Sequence, residues 1–149
     1  MEEHLSGQST RPERPKLRRI AHVELRVRDL GQSVAFYRDL LGLERTDAVP
    51  PSESTCVCTA KAETGERFGL VLTAGLPSGT EVTGLDHVGF EVPTRQDVRD
   101  VYDEARRKSI RATQPREFNG YYQSYVFDPD GYKIEVIARP GDASEAETE

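Results

Sequence analysis

The sequence predicts an α+β domain made from one unit used twice, each unit running strand, helix, three strands. Three observations predict it. First, "AHVELRVRD" and "LDHVGFEVP" are similar alternating stretches whose histidines, His22 and His87, stand 65 positions apart (87 − 22). Second, each is followed by a stretch whose apolar residues recur with the period of a helix. Third, each unit closes on a similar apolar strand, "FGLVLTA" in the first and "YKIEVIA" in the second, which aligns Val71 with Glu135.

Taken in order, residues 1–17 form a polar tail with Pro12 and Pro15 among basic residues, too poor in apolar side chains to offset the entropy of ordering. A single domain follows over 18–139, with a first module at about 18–74, a linker at 75–84 and a second module at about 85–139. An acidic tail, 140–149, is expected to be disordered like the first. In module 1, "RRIAHVELRV" reads as a strand, and "GQSVAFYRDLLG" as a helix with Val34, Tyr37, Leu40 and Leu41 on one face and Gly42 closing it. Strands are expected at about 43–49, 55–61 and 66–74. In module 2, "LDHVGFEV" is a strand and "TRQDVRDVYDEARRKS" a helix, capped by Thr94 with Asp97 three residues on and buried through Val98, Val101, Tyr102 and Ala105. Strands near 111–115, 121–127 and 132–138 complete it, the last two joined by "DPDG", where Pro129 fixes one φ and Gly131 frees another.

A chain of 149 residues, 36% of them hydrophobic, supports one core rather than two independent ones. Its formal charge of −6 and pI near 5.2 exclude nucleic acid as the principal partner, because nothing supplies the phosphate-neutralising contacts that dominate such binding. A small molecule or another protein is the expected partner. No apolar run approaches a membrane span and the N-terminal residues lack a hydrophobic signal core, so a cytoplasmic protein without membrane contact is expected. Cys56 and Cys58, at i and i+2 of a strand, give no disulfide framework.

Strand parity gathers the chemistry. In "YKIEVIA", Ile134 and Val136 belong to the helix-covered face, whereas Lys133, Glu135 and Ile137 point the other way. By the same alternation His22 shares its face with Glu24 and Arg26, and His87 shares its face with Gly89 and Glu91. Two imidazoles and a carboxylate on polar strand faces are candidate ligands of one divalent ion.

These stretches, together with "DPDGYKIEVI", resemble the vicinal-oxygen-chelate superfamily, which includes glyoxalase I, extradiol dioxygenases, fosfomycin-resistance transferases, methylmalonyl-CoA epimerase and bleomycin-binding proteins. The resemblance implies paired βαβββ modules in a curled mixed sheet around a metal and ligand cavity. It implies a divalent metal (Fe²⁺, Mn²⁺, Ni²⁺ or Zn²⁺), held here by His22, His87 and Glu135, in a homodimer. Val71 departs from the glyoxalase and epimerase pattern, which has an acid there, and becomes a position facing substrate. Two imidazoles and one carboxylate leave three sites of an octahedral ion open, as in extradiol dioxygenases and fosfomycin transferases.

"YVFDPDGYKIE" is also similar to the extradiol signature, which casts Tyr125 as a substrate hydrogen-bonding or acid–base group. Plain hairpin register would instead set Ser124 opposite Glu135, making Ser124 a further lining residue unless a bulge intervenes. The signature's upstream histidine has no counterpart, since Arg116, Glu117 and Phe118 occupy its window. Proton transfer would then fall to Glu24, Glu91 or Tyr125. Arg26 resembles an arginine that anchors the anionic end of glutathione in glyoxalase I. Tyr121 and Tyr122 would form an aromatic lip over a ligand, or serve only as edge-strand aromatics. Two functions follow: a metalloenzyme of the lyase or oxidoreductase kind that chelates neighbouring oxygens of its substrate, or a metal-independent protein of the bleomycin-binding type that sequesters a drug-like molecule.

Overall fold

The computed structural model describes residues 14–17, 19–46 and 54–141. Most of the two expected tails, and the end of the expected strand 43–49, lie outside the described residues. Module 1 contains β1 (Val23–Val27), α1 (Leu30–Leu41), β2 (Glu44–Thr46), β3 (Thr55–Lys61) and β4 (Arg67–Ala74). Module 2 repeats the series as β5 (Val88–Glu91), α2 (Arg95–Arg107), β6 (Arg116–Phe118), β7 (Tyr121–Phe127) and β8 (Lys133–Ala138).

Gly42 and Thr94 cap the helix ends expected of them, and Asp29 caps the start of α1. Asp29 accepts the backbone N–H of Gln32 at the start of α1, and Gly42 closes it in the left-handed region at φ 72°, where a side chain would strain. Thr94 and Asp97 form the reciprocal capping box of α2. Each module is a four-stranded mixed sheet, in the orders β1-β4-β3-β2 and β5-β8-β7-β6, with only β1·β4 and β5·β8 parallel. The registers reproduce the repeat. Glu24 pairs with Val71 and Gly89 with Glu135, each pair starting two residues after its histidine, so Val71 and Glu135 are structural counterparts.

Two details of module 2 differ from expectation. The strand expected at 111–115 is reduced to one bridge, Ala112 with Val126, and the regular strand is displaced to Arg116–Phe118. The cause is a one-residue slip: Ala112 opposite Val126 and Arg116 opposite Gln123 cannot belong to one continuous register, and Pro115, which has no N–H to donate, lies between them. The β7–β8 connection also spans five residues, 128–132, rather than the four of "DPDG", because Phe127 pairs with Lys133. That extra residue brings Tyr125, not Ser124, opposite Glu135.

The helix-side faces of both sheets meet in one core. Leu25, Val27, Leu70 and Leu72 of module 1 share it with Ala105, Val126 and Ile134 of module 2, and α1 contributes Phe36, Tyr37 and Leu40. Cys56 and Cys58 lie within it, their sulfurs 3.7 Å apart, and burial together with Cys56 pushes the Cys58 thiol up to about 12. Across the modules, Phe68 meets Phe90 with ring centres 6.2 Å apart.

The loop 128–132 fastens module 2 to α1 and to the residue Arg28 before it. Tyr37 donates its hydroxyl to Asp128 at 2.7 Å, Ser33 donates to Asp130, and Arg28 donates to Asp130 from both its backbone N–H (3.0 Å) and its guanidinium (3.2 Å). Tyr132 in turn donates to the carbonyl of Arg26. Among the described residues no helix is long and apolar enough to cross a membrane.

Candidate functional site

The best-formed polar cluster stands on the open face of module 2. His87, immediately before β5, directs Nε2 to Glu135 Oε2 at 3.0 Å. Glu135 is buried although its strand face is the outer one, and Gly89 makes that burial feasible: a Cβ at position 89 would lie 3.3 Å from Oε2. Tyr125, opposite Glu135, sets its ring edge-on to His87 with centroids 5.6 Å apart. Two residues before Glu135, Lys133 places its ammonium 4.6 Å from the centre of the Tyr125 ring. On the remaining side of the imidazole, Asp86 Oδ2 stands 2.5 Å from Nδ1. The hydrogen bond from His87, and after it the charge of Lys133, hold the Asp86 carboxyl below its usual range.

This arrangement suits a metal on two counts. Donors at about 2.1 Å from an ion and about 90° apart lie about 3 Å from each other, which is the His87–Glu135 spacing. An imidazole whose Nδ1–H is engaged by a carboxylate offers Nε2 as the donor nitrogen. Neither count extends to a third ligand within one chain. Among the described residues no group of three or more His, Cys, Asp or Glu is placed to hold an ion.

His22 is exposed, just before β1 on the open face of module 1. Its neighbour Glu24 accepts a hydrogen bond from Thr73 and lies beside Val71, so module 1 carries an acid next to the position where module 2 carries Glu135. Arg26 is exposed on the same face. The helix-side faces of both sheets contribute to the common core, so His22 and His87 each stand on the face of their own sheet away from it.

The other expected residues divide by register. Glu91 shares the face of His87 but is paired with Arg139 at 2.5 Å. Tyr121, at the edge of β7, is exposed on the face of Tyr125. Tyr122 and Ser124 belong to the opposite face, in register with Ala138 and Val136. Tyr122 packs there beneath α2, under the guanidinium groups of Arg95 and Arg99, and Ser124 is fully buried with its hydroxyl donated to the carbonyl of Thr113. Sequence reasoning did not single out Asp86 or Lys133. The signal was legible in the repeat, because their counterparts in module 1 are Ala21 and Gly69. A cavity of about 510 Å³ also opens beside the 128–131 turn, lined by Phe36, Ile110, Arg111 and Phe127 and by none of the residues of this cluster.

Two modules of this topology, with histidines at matching positions before their first strands, define the class, and the family comparison agrees with it. The chain belongs to the Glyoxalase/Bleomycin resistance protein/Dioxygenase superfamily, whose model matches residues 19–136. It is 31% identical over 127 residues to a probable lactoylglutathione lyase of Synechocystis sp., covering 79% of this chain and 93% of that protein. It is 32% identical over 121 residues to biphenyl-2,3-diol 1,2-dioxygenase 3 of Rhodococcus globerulus, covering 79% of this chain but only 62% of that protein. In fold it is similar to a glyoxalase/dioxygenase from Nostoc punctiforme, with a TM-score of 0.67 at 22% identity, covering 94% of this chain and 99% of the other.

Proposed function

We propose that this protein is a metal-dependent enzyme of the superfamily, acting on a small molecule with two neighbouring oxygens, and that its centre is completed between two copies of the chain. The observation that carries the reading is the His87–Glu135 pair, 3.0 Å apart in the space left by Gly89. The second part is supported by His87 and Glu135 having no third ligand beside them among the described residues. His87 and Glu135 of one copy supply two donors, and His22 of the partner copy supplies the third in an isologous pairing that forms two equal sites. A divalent ion bound there would act as a Lewis acid on the substrate's oxygens.

The chain's own residues supply the remainder. Asp86 and Glu135 fix the ring of His87. Tyr125 stands in register with Glu135 and within reach of a group bound beside it, so its hydroxyl is the candidate hydrogen-bonding or proton-transferring group. Glu24, on the partner's face, is a second candidate, restrained by Thr73. Glu91 is committed to an ion pair with Arg139. Arg26 provides a cation for an anionic substrate end. Val71 lines the site without ligating, which leaves room for a bidentate substrate. This matches the dioxygenase relative's substrate class, a vicinal diol, more closely than a four-ligand lyase centre.

Complementation tests the shared centre. His22→Ala and Glu135→Ala should each lose stoichiometric binding of Fe²⁺, Mn²⁺, Ni²⁺ or Zn²⁺, and a mixture allowed to exchange subunits should regain about a quarter of the sites, because half the dimers are mixed and each holds one intact set. No recovery on mixing, with metal bound by the parent, would place all ligands in one chain. A parent that takes up no metal but binds aromatic compounds tightly would favour a sequestering protein instead.

A further inference from the structure

We infer that Asp86 is a positioning residue for the metal ligand His87, held in place by Lys133, and that it makes the two histidines of the centre inequivalent. The inference rests on the reading of His87 and Glu135 as ligands. Its geometry is a chain of four groups: Lys133 Nζ stands 3.6 Å from Asp86 Oδ2, Asp86 Oδ2 2.5 Å from His87 Nδ1, and His87 Nε2 3.0 Å from Glu135 Oε2. The imidazole is thus flanked by two carboxylates, and the shorter approach belongs to Asp86. A neutral ring therefore keeps its hydrogen on Nδ1, donated to Asp86, and presents a bare Nε2 toward Glu135. That is the tautomer an ion beside Glu135 requires, and a hydrogen-bonded carboxylate also raises the basicity of the donor nitrogen. Tyr125 limits rotation of the ring from its edge.

The repeat acts as an internal control. By the strand registers, Ala21 is the counterpart of Asp86, Gly69 of Lys133 and Val57 of Tyr125, so every group that orients His87 is replaced beside His22 by a residue that can do none of this. Module 2 therefore presents a pre-oriented donor pair, and His22 joins it as an unsupported third ligand. The asymmetry predicts an order of dependence: loss of orientation at His87 weakens the ion while the fold remains, since the Asp86 side chain is 79% exposed.

The test uses the full chain, first metal-free and then titrated with Co²⁺ against a chelating dye. In metal-free protein at alkaline pH, ¹⁵N NMR of the imidazole should report the Nδ1–H tautomer at His87. Asp86→Ala should invert it to Nε2–H, donated to Glu135, and weaken Co²⁺ binding about 10- to 100-fold. Asp86→Asn keeps an oxygen that accepts from Nδ1 and should restore the tautomer and part of the affinity. Lys133→Gln should keep the tautomer and weaken Co²⁺ less than Asp86→Ala does. An unchanged tautomer in Asp86→Ala, or Co²⁺ binding equal to the parent's, overturns the assignment of Asp86 and leaves the metal reading intact. A parent that binds no Co²⁺ while its tautomer still responds to Asp86 overturns the metal reading and leaves the positioning role intact.

Discussion

At the scale of single residues, Tyr37 and Asp128 show how a buried pair couples stability to pH. Burial raises the Asp128 carboxyl above its ordinary value, against the opposing pull of hydrogen bonds from Tyr37 and from the backbone N–H groups of Tyr132 and Asp130. Burial and the nearby carboxylate also push the Tyr37 phenol upward, so it remains a donor throughout the working range. A raised carboxyl binds its proton more tightly in the folded state. Its contribution is therefore fully present below the ordinary carboxylate range and is lost as pH rises through the raised value. Tyr37→Phe removes a bond that favours the charged form, so its cost should be about 1–3 kcal/mol at neutral pH and smaller near pH 4, in urea unfolding at the two values. An equal cost at both would mean that Asp128 does not titrate in the fold. Val71 offers a second test. Because it is the counterpart of Glu135, Val71→Glu should tighten Co²⁺ binding by adding a fourth donor; affinity no better than the parent's would place residue 71 outside the coordination sphere.

At the scale of elements, the β7–β8 hairpin and α2 carry distinct dependences. Gly89 and Glu135 belong to paired strands, and Gly89→Ala would bring a methyl group to 3.3 Å from Oε2. That carboxylate would have to shift, so weaker metal binding is expected at nearly unchanged stability, measured by dye competition and by thermal unfolding; retained affinity would show that Glu135 has a second usable position. For α2, Thr94→Ala removes the cap on the N–H of Asp97 and should cost about 1 kcal/mol in urea unfolding. The cost should fall on stability alone, because α2 lies on the face opposite the His87–Glu135 pair.

At the scale of the whole molecule, the two modules share one core and one polar fastening. Asp130 is nearly inaccessible, and its carboxylate accepts from Arg28 and Ser33 of module 1. Asp130→Ala leaves those donors without it and should cost about 1–3 kcal/mol, the guanidinium being partly open to solvent. Unfolding should stay a single transition in calorimetry because Phe36, Tyr37 and Leu40 still bind the modules through apolar contact. Two separated transitions would mean that the fastening, not the core, makes the modules cooperative.

Sequence alone determined what depends on local periodicity. Alternation of period 2 put His87 and Glu135 on one face and Ile134 and Val136 on the other, the caps at Gly42 and Thr94 marked one end of each helix, and the repeat matched Val71 with Glu135. These properties arise within a few residues, so they survive without knowledge of the fold. Tertiary structure decided the rest, because it depends on how distant surfaces meet. The five-residue loop 128–132 chose Tyr125 over Ser124 as the partner of Glu135, since its length is set by the docking of Asp128 and Asp130 onto Tyr37, Ser33 and Arg28. The slip near Pro115 moved β6. Above all, the union of the two helix-side faces in one core decided which face of each sheet stays open: apolar burial is the dominant gain on folding, and it was satisfied by the faces opposite His22 and His87.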